Sequence, residues 1–232
     1  MKKTNYPDIF SKEQYHVIVL DMDGTLYYQR SMQFFMCLEM GLYAIKHPLS
    51  LERLKIISAF RKIREREEYS GITCADCKEE TVYNSLLEYQ YAVTAGCMGV
   101  TARMVQEVIE EWMMERPLKY LWHVRDKKLC AWIEEWKKQG KKVVIFSDYP
   151  MEKKVQALGI EADALYSSHN HRIGRMKPAT KGLEVIGKDL QVPLENILVV
   201  GDRMSKDGKM AEDAGCDYVI LKKWKLSRCI HY

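Results

Sequence analysis

Asp21 and Asp23 stand one residue apart, directly after the apolar run Val17-Ile18-Val19-Leu20 and directly before Gly24. Like charges brought this close are costly unless a cation or a proton compensates them, so the pair points to chemistry rather than to scaffolding. Ser147 and Asp148 follow a second strand-like run, Lys142–Phe146, and Asp202 follows a third, Ile197–Val200, through Gly201. Lys177 lies in a polar loop immediately before Pro178. These residue types suit phosphoryl transfer. A carboxylate can attack phosphorus and form an aspartyl phosphate. A hard cation held by carboxylates neutralises charge between nucleophile and phosphate, and magnesium suits such an oxygen-ligand set. A hydroxyl and an ammonium hold the transferring oxygens. Taken alone, Asp-x-Asp-Gly also fits part of a calcium loop, but the remaining ligands of that pattern are missing here.

The elements that must position these groups can be read from hydrophobic pattern. Short apolar runs rich in β-branched residues predict buried parallel strands at Val17–Leu20, Lys142–Phe146, Ile197–Val200 and Tyr218–Leu221, with a short strand at Ala164–Ser167. Helices are predicted between them at Lys127–Gln139, Met151–Leu158, Ala179–Leu190 and Gly208–Ala214. This alternation predicts an α/β protein, a parallel sheet with helices on its faces. Chemistry in such sheets sits at the C-terminal edge of the strands, so Asp21, Asp23, Ser147, Lys177 and Asp202 should converge on one crevice. Between the first strand and the rest, the chain reads as helices only. They are Ser31–Lys46, stopped at His47-Pro48; Leu51–Tyr69, capped by Ser50 and broken by Gly71; Asp76–Ala95, followed by a turn from Gly96 to Gly99; and Thr101–Arg116, stopped by Pro117. The block is an insertion whose two ends return to the edge carrying Asp21 and Asp23.

At 232 residues the chain can bury a full core, and 47% hydrophobic with 29% charged residues is ordinary for a soluble globular protein. A net charge of +4, from 36 basic and 32 acidic residues without a basic block, predicts no nucleic-acid partner. No secretory signal and no membrane-spanning apolar stretch stand out, and seven scattered cysteines fit reduced thiols, so a cytoplasmic location is expected. Cys74 and Cys77 have metal or redox spacing, but no second cysteine pair answers them.

Taken in order, the chemical residues resemble the haloacid dehalogenase-like (HAD) superfamily, in its phosphatase branch with a helical cap. The matching motifs are Asp21-Met22-Asp23-Gly24-Thr25, the strand ending in Ser147, Lys177-Pro178, and Gly201-Asp202 with four residues before Asp207. The last continues through Ala211, Ala214 and Gly215, as the family pattern does. The resemblance covers the chain except the insert. It implies a Rossmann-like parallel sheet core flanked by helices, residues 1–27 and 121–232, with an inserted all-helical cap domain, residues 28–120.

The same resemblance implies a magnesium-dependent phosphatase acting on a small phosphorylated metabolite. Asp21 is then the nucleophile, and Asp23 protonates the leaving oxygen and later deprotonates the attacking water. Ser147 and Lys177 bind the phosphoryl oxygens. Asp148 faces the substrate where many members have asparagine, which puts the usual leaving-group preference in question. Asp202 holds Mg2+ with the Asp21 carboxylate and the Asp23 main-chain carbonyl, and Asp207 either orients Lys177 or supports metal-bound water. Dehalogenase members lack a carboxylate at the place of Asp23, which points to phosphate esters. A phosphotransferase or phosphomutase is the alternative within the superfamily, and a non-catalytic binding protein the alternative outside enzymes. A monomer or homodimer with no membrane partner is expected.

Several residues also have purely local explanations. Ser147 fits a helix N-cap, and Asp207 fits an N-cap before Gly208. His169 and His171 are predicted as solvated loop residues rather than a metal pair. Arg61, Lys62, Arg64 and Arg66 are predicted on an exposed helix face, mixed with Glu65, Glu67 and Glu68. Tyr83, Tyr89, Tyr91 and the methionine-rich first insert helix are predicted as bundle core.

Overall fold

The computed structural model describes residues 13–48, 51–66, 70 and 85–222. Its strands are β1 (Val17–Leu20), β2 (Lys142–Ser147), β3 (Ala164–Ser167), β4 (Ile197–Gly201) and β5 (Asp217–Ile220). They form one sheet in the order β3-β2-β1-β4-β5, with every pair parallel. In the central strand, Leu20 is level with Ile145 of β2 and Val200 of β4. Asp21, the Ser147-Asp148 pair and Asp202 therefore leave the sheet at one edge.

The helices are α1 (Gln29–Lys46), α2 (Leu51–Arg64), α3 (Leu86–Met98), α4 (Ala102–Ile109), α5 (Leu118–Val124), α6 (Lys127–Lys138), α7 (Glu152–Leu158), α8 (Lys181–Leu190) and α9 (Lys209–Ala214). Ile18, Leu20, Val143, Ile145, Leu198 and Val200 pack on one side of the sheet against Leu129, Ile133 and Trp136 of α6 and Val155 and Leu158 of α7. Val17, Val19, Val144, Phe146, Ile197 and Val199 pack on the other against Leu183 and Ile186 of α8 and Met210 and Ala211 of α9. Burial on both faces is why these strands read as continuous apolar runs rather than alternating ones. Each fully buried aliphatic side chain contributes roughly 1.5–3 kcal/mol, which anchors the edge where the polar groups emerge.

Where the chain leaves β1 and where it rejoins α6, the two passages are stitched together. Tyr28 N donates to Val124 O and Asp126 N to Leu26 O, each at 2.9 Å. Asp126 Oδ1 then caps α6 by accepting from Lys128 N and Leu129 N. The expected boundary after residue 120 falls inside α5, whose Leu121 and Val124 pack in the cluster beneath α6 and α7. A separate cluster joins Ile56, Ile57 and Phe60 of α2, Tyr91 of α3, Val105, Val108 and Ile109 of α4, and Trp112.

Helix ends differ from expectation by more than two residues in three places. α3 runs through Gly96 and stops at Gly99, whose φ of +66° suits glycine. After Ile109 the chain widens into a π-type turn, Glu110–Glu115, instead of continuing as α-helix to Arg116. α2 ends at Arg64, short of the predicted Tyr69. Ser50, Cys74, Cys77 and Tyr83 lie outside the described residues, as does the first part of the predicted third helix. Among the described residues, no helix is long and apolar enough to cross a membrane.

Candidate active site

Asp21 extends the strand pairing one residue past Leu20, its N–H donating to Val200 O at 2.8 Å. Its carboxylate is held from both sides. Lys177 Nζ lies 2.5 Å from Oδ1, and Thr25 Oγ1 donates to Oδ2 at 2.9 Å. The same ammonium reaches Asp207 Oδ1 at 2.7 Å and Phe146 O at 3.3 Å. Asp21, Lys177 and Asp207 are all buried. Burial alone would lower the Lys177 pKa, but the carboxylates of Asp21, Asp207 and Asp148 outweigh it and hold the ammonium well above its ordinary value. At Asp21 burial wins and pushes the carboxyl up to about 7, against the pull of Lys177 and with a further push from Asp207. Of the two roles expected for Asp207, the lysine contact is present. Its Oδ2 also accepts from Arg203 N at 3.2 Å, and Gly208 takes the N-cap position of α9, so Asp207 is not that cap.

Asp202 completes an acidic group. One carboxylate oxygen each of Asp21, Asp202 and Asp207 lie within 4.8 Å of one another. Gly24 makes room for this: its φ is +97°, and a Cβ there would sit 2.2 Å from Asp202 Oδ2. Asp202 Oδ1 is buried without a hydrogen-bond partner, and burial raises the carboxyl above its ordinary range. Three carboxylates face the buried Lys177 ammonium and, at the rim, the Arg203 guanidinium 3.8 Å from Asp202 Oδ1, so negative charge remains in excess there. An oxygen donor set of this kind fits a hard divalent cation.

Asp23 engages different partners. Its Oδ1 accepts from Lys154 Nζ of α7 at 3.0 Å and from the Tyr27 hydroxyl. Burial would raise Asp23, but Lys154 and Tyr27 outweigh it and hold the carboxyl below its ordinary range. The Tyr27 hydroxyl is pushed well above its ordinary value by burial and by Asp23. Sequence reasoning missed Lys154. The available signal was its place next to Val155 and one turn before Leu158, on the buried face of α7.

Ser147 ends β2 with its Oγ accepting from Tyr149 N at 3.0 Å. α7 begins later, with Met151 at its N-cap position, so Ser147 shapes a turn and does not cap the helix. Asp148 Oδ1 accepts from Ser168 Oγ at 2.7 Å and from Lys177 N at 3.0 Å. The residue expected beside the substrate thus also secures the backbone that delivers Lys177.

Arg64, predicted on an exposed face, is instead buried at 2% exposure. Its guanidinium donates to Asp148 O and Gln90 Oε1, lies 4.0 Å from the centre of the Tyr149 ring, and sits 3.4 Å from His169 Nε2. The reason is spacing: Ile57, Phe60 and Arg64 recur at helical intervals, so the arginine lies on the apolar stripe of α2. His169, predicted as solvated, packs against it. Burial, followed by the Arg64 charge, lowers the imidazole to about 3. His171 is exposed, as expected.

These groups open onto a cavity of about 420 Å³. Asp21, Asp23, Ser147, Asp148 and Lys154 line it from the sheet edge; Met32, Met36, Met40, Ile57, Trp112 and Met113 line it from the insert. Met36 and Met40, predicted as bundle core, do both: they pack against the α2–α4 cluster and also face this space. Lys177 and Asp207 do not line the cavity; they support Asp21, which does.

The family model of the haloacid dehalogenase-like hydrolases matches residues 15–215. No curated protein sequence matches the chain. Three similar solved structures illustrate the fold. The 2-haloacid dehalogenase of Pseudomonas syringae pv. tomato aligns at a TM-score of 0.60 and 14% identity, over 92% of this chain and 91% of that one. The HAD phosphatase of Thermococcus onnurineus aligns at 0.58 and 15%, over 91% and 89%. The L-2-haloacid dehalogenase of Xanthobacter autotrophicus aligns at 0.59 and 16%, over 91% and 79%. At these identities the likeness is one of fold. The family match itself runs from just before β1 to the end of α9 and takes in Asp21, Ser147, Lys177 and Asp202, so this chain belongs to the haloacid dehalogenase-like hydrolases.

Proposed function

We propose that this hydrolase is a magnesium-dependent phosphatase that cleaves a small phosphomonoester through an aspartyl phosphate on Asp21. The observation that carries the reading is a second carboxylate, Asp23, lining the same cavity as Asp21. A haloacid loses halide, which needs no proton. A phosphate ester loses an alkoxide, which does, and a carboxyl group near the nucleophile can supply it.

Asp21 attacks phosphorus, and the bond to the leaving oxygen breaks as Asp23 donates its proton. Lys154 and Tyr27 keep Asp23 ionised in the free protein. A phosphate dianion arriving beside it favours the protonated form. Water then attacks the phosphoaspartate, Asp23 takes its proton, and inorganic phosphate leaves with Asp21 restored. Lys177, steadied by Asp207, offsets charge at Asp21. Ser147 Oγ accepts a backbone N–H, which leaves its O–H free to donate to a phosphoryl oxygen. Asp21, Asp202 and Asp207, with the Asp23 carbonyl, would hold Mg2+, which when bound neutralises phosphate charge. The insert, residues 28–120, would serve as the cap that excludes water during turnover.

The test is phosphate release from phenyl phosphate, with magnesium and with chelator, beside chloride release from 2-chloropropionate. Expected are metal-dependent phosphate release, a drop on the order of 10³-fold or more in Asp21→Asn, and no chloride. Chloride without phosphate would overturn the reading.

A further inference from the structure

Phosphate chemistry accounts for only one side of the cavity. On the other, Met32, Met36 and Met40 come from one face of α1 at four-residue spacing, Ile57 comes from α2, and Trp112 and Met113 come from the turn after α4. Thioether chains are flexible and polarisable, and they mould to apolar bodies. Uncharged amides enter this wall only at the start of α1, as Gln29 and Gln33. Along the methionine stretch a sugar or polyol would leave hydroxyls without partners, which is costly wherever it displaces water.

The charges around the cavity are also informative. Lys154 is paired with Asp23, and Arg203 and Lys206 lie beside Glu65. Arg61, on α2, lines the same cavity and has no ion-pair partner among the described residues. An exposed arginine next to an apolar wall offers a planar, permanently charged fork for a carboxylate or a second phosphate.

We infer that the group esterified to phosphate is a predominantly apolar body, aryl or branched hydrocarbon, bearing a second negative charge that meets Arg61. The inference rests on the phosphate-ester reading and narrows its substrate class. The phosphoryl end sits at Asp21 and Ser147, the hydrocarbon lies along the methionine wall, and the second anion lies at α2.

Binding of non-hydrolysable phosphonates tests this without turnover. By calorimetry in magnesium buffer, benzylphosphonate is compared with 2,3-dihydroxypropylphosphonate and with 4-carboxybenzylphosphonate, on the wild type and on Arg61→Ala. Benzylphosphonate should bind roughly 10-fold or more tighter than the dihydroxypropyl analogue, as expected for an apolar pocket. The carboxylate should add about three- to fivefold, an exposed ion pair's worth, and Arg61→Ala should remove that gain. Arg61 is exposed, so the variant should fold, and circular dichroism checks it. Equal or tighter binding of the dihydroxypropyl analogue, failure of both to bind, or a carboxylate gain that survives Arg61→Ala would overturn the inference. Phosphonate binding with the expected order but no hydrolysis of benzyl phosphate would sink the phosphatase reading alone.

Discussion

The sheet-edge wall of the cavity and the insert wall are held in place by different forces. At the sheet edge, Asp21, Asp207 and Lys177 are fixed by short ion pairs, Asp23 by Lys154 and Tyr27, and Asp148 by Ser168. Each group has one tolerated position, because a displaced charge in a low-dielectric setting finds no substitute partner. The insert wall is packed methionine, isoleucine and tryptophan, held by non-directional contacts that allow rearrangement. The difference teaches a division of labour: rate should reside in the first wall and selectivity in the second. Arg64 joins them, a cation from the insert that donates to the Asp148 carbonyl on one side and to Gln90 on the other.

Lys177→Ala should have the largest effect. It leaves Asp21 and Asp207 facing each other without their cation, and should cost about 3–5 kcal/mol in stability and on the order of 10²-fold or more in kcat. Urea melts and phosphate release measure the two, and a rate loss under about tenfold would break the picture of the sheet-edge wall as an electrostatic device. Next in size is Arg64→Met, which keeps the apolar stripe of α2 but strips a donor from the Asp148 carbonyl and from Gln90. About 2–4 kcal/mol should be lost in urea denaturation. An unchanged midpoint would mean that the two walls are not joined through this residue.

A smaller effect follows from His169, whose imidazole is lowered to about 3 in the folded protein. The unfolded chain binds the proton first, near pH 6.5. Stability from the neutral imidazole is therefore fully present above that pH and is lost as the pH falls toward the folded value. In His169→Gln the acid-side slope of Tm against pH should flatten, by up to about 1 kcal/mol or roughly 3 °C per pH unit. Parallel slopes for wild type and variant would remove His169 from the contact. The smallest change is expected for Met40→Leu, under about 1.5 kcal/mol, with kcat for phenyl phosphate nearly unchanged and KM shifting among aryl phosphates. A large fall in kcat there would place rate in the insert wall and dissolve the distinction.

The sheet-edge wall was largely legible in the chain, and the insert wall was not. Val17–Leu20 reads as a buried strand because nothing but a doubly covered strand makes four consecutive apolar β-formers useful. Asp21, Ser147 and Asp202 could be assigned to one edge because parallel strands bring their C-terminal ends together whatever the loops do; Lys177, in a loop, joined them only through the ordered motifs. Which carboxylate meets Lys177 was not legible, since Asp21, Asp148, Asp202 and Asp207 all lie within one loop's reach of that edge. The insert gave helices, but the period of apolar residues tells which face is buried and not against what. That is why Met36 and Met40 read as core alone; Arg64 read as surface because its charge stands among Arg61, Lys62, Glu65 and Arg66, although its spacing puts it on the apolar stripe.

By itself, then, the sequence determined the strand set, the edge at which Asp21, Ser147 and Asp202 emerge and the hydrolase family, because these follow from local periodicity and ordered motifs. Tertiary structure alone decided that Lys177 bridges Asp21 and Asp207, that Lys154 faces Asp23, and that Arg64 is drawn inward to the Asp148 carbonyl. Those pairings depend on how distant segments close on one another in three dimensions, and the energy of a buried charge is set by the partners within a few ångströms of it and not by its neighbours along the chain.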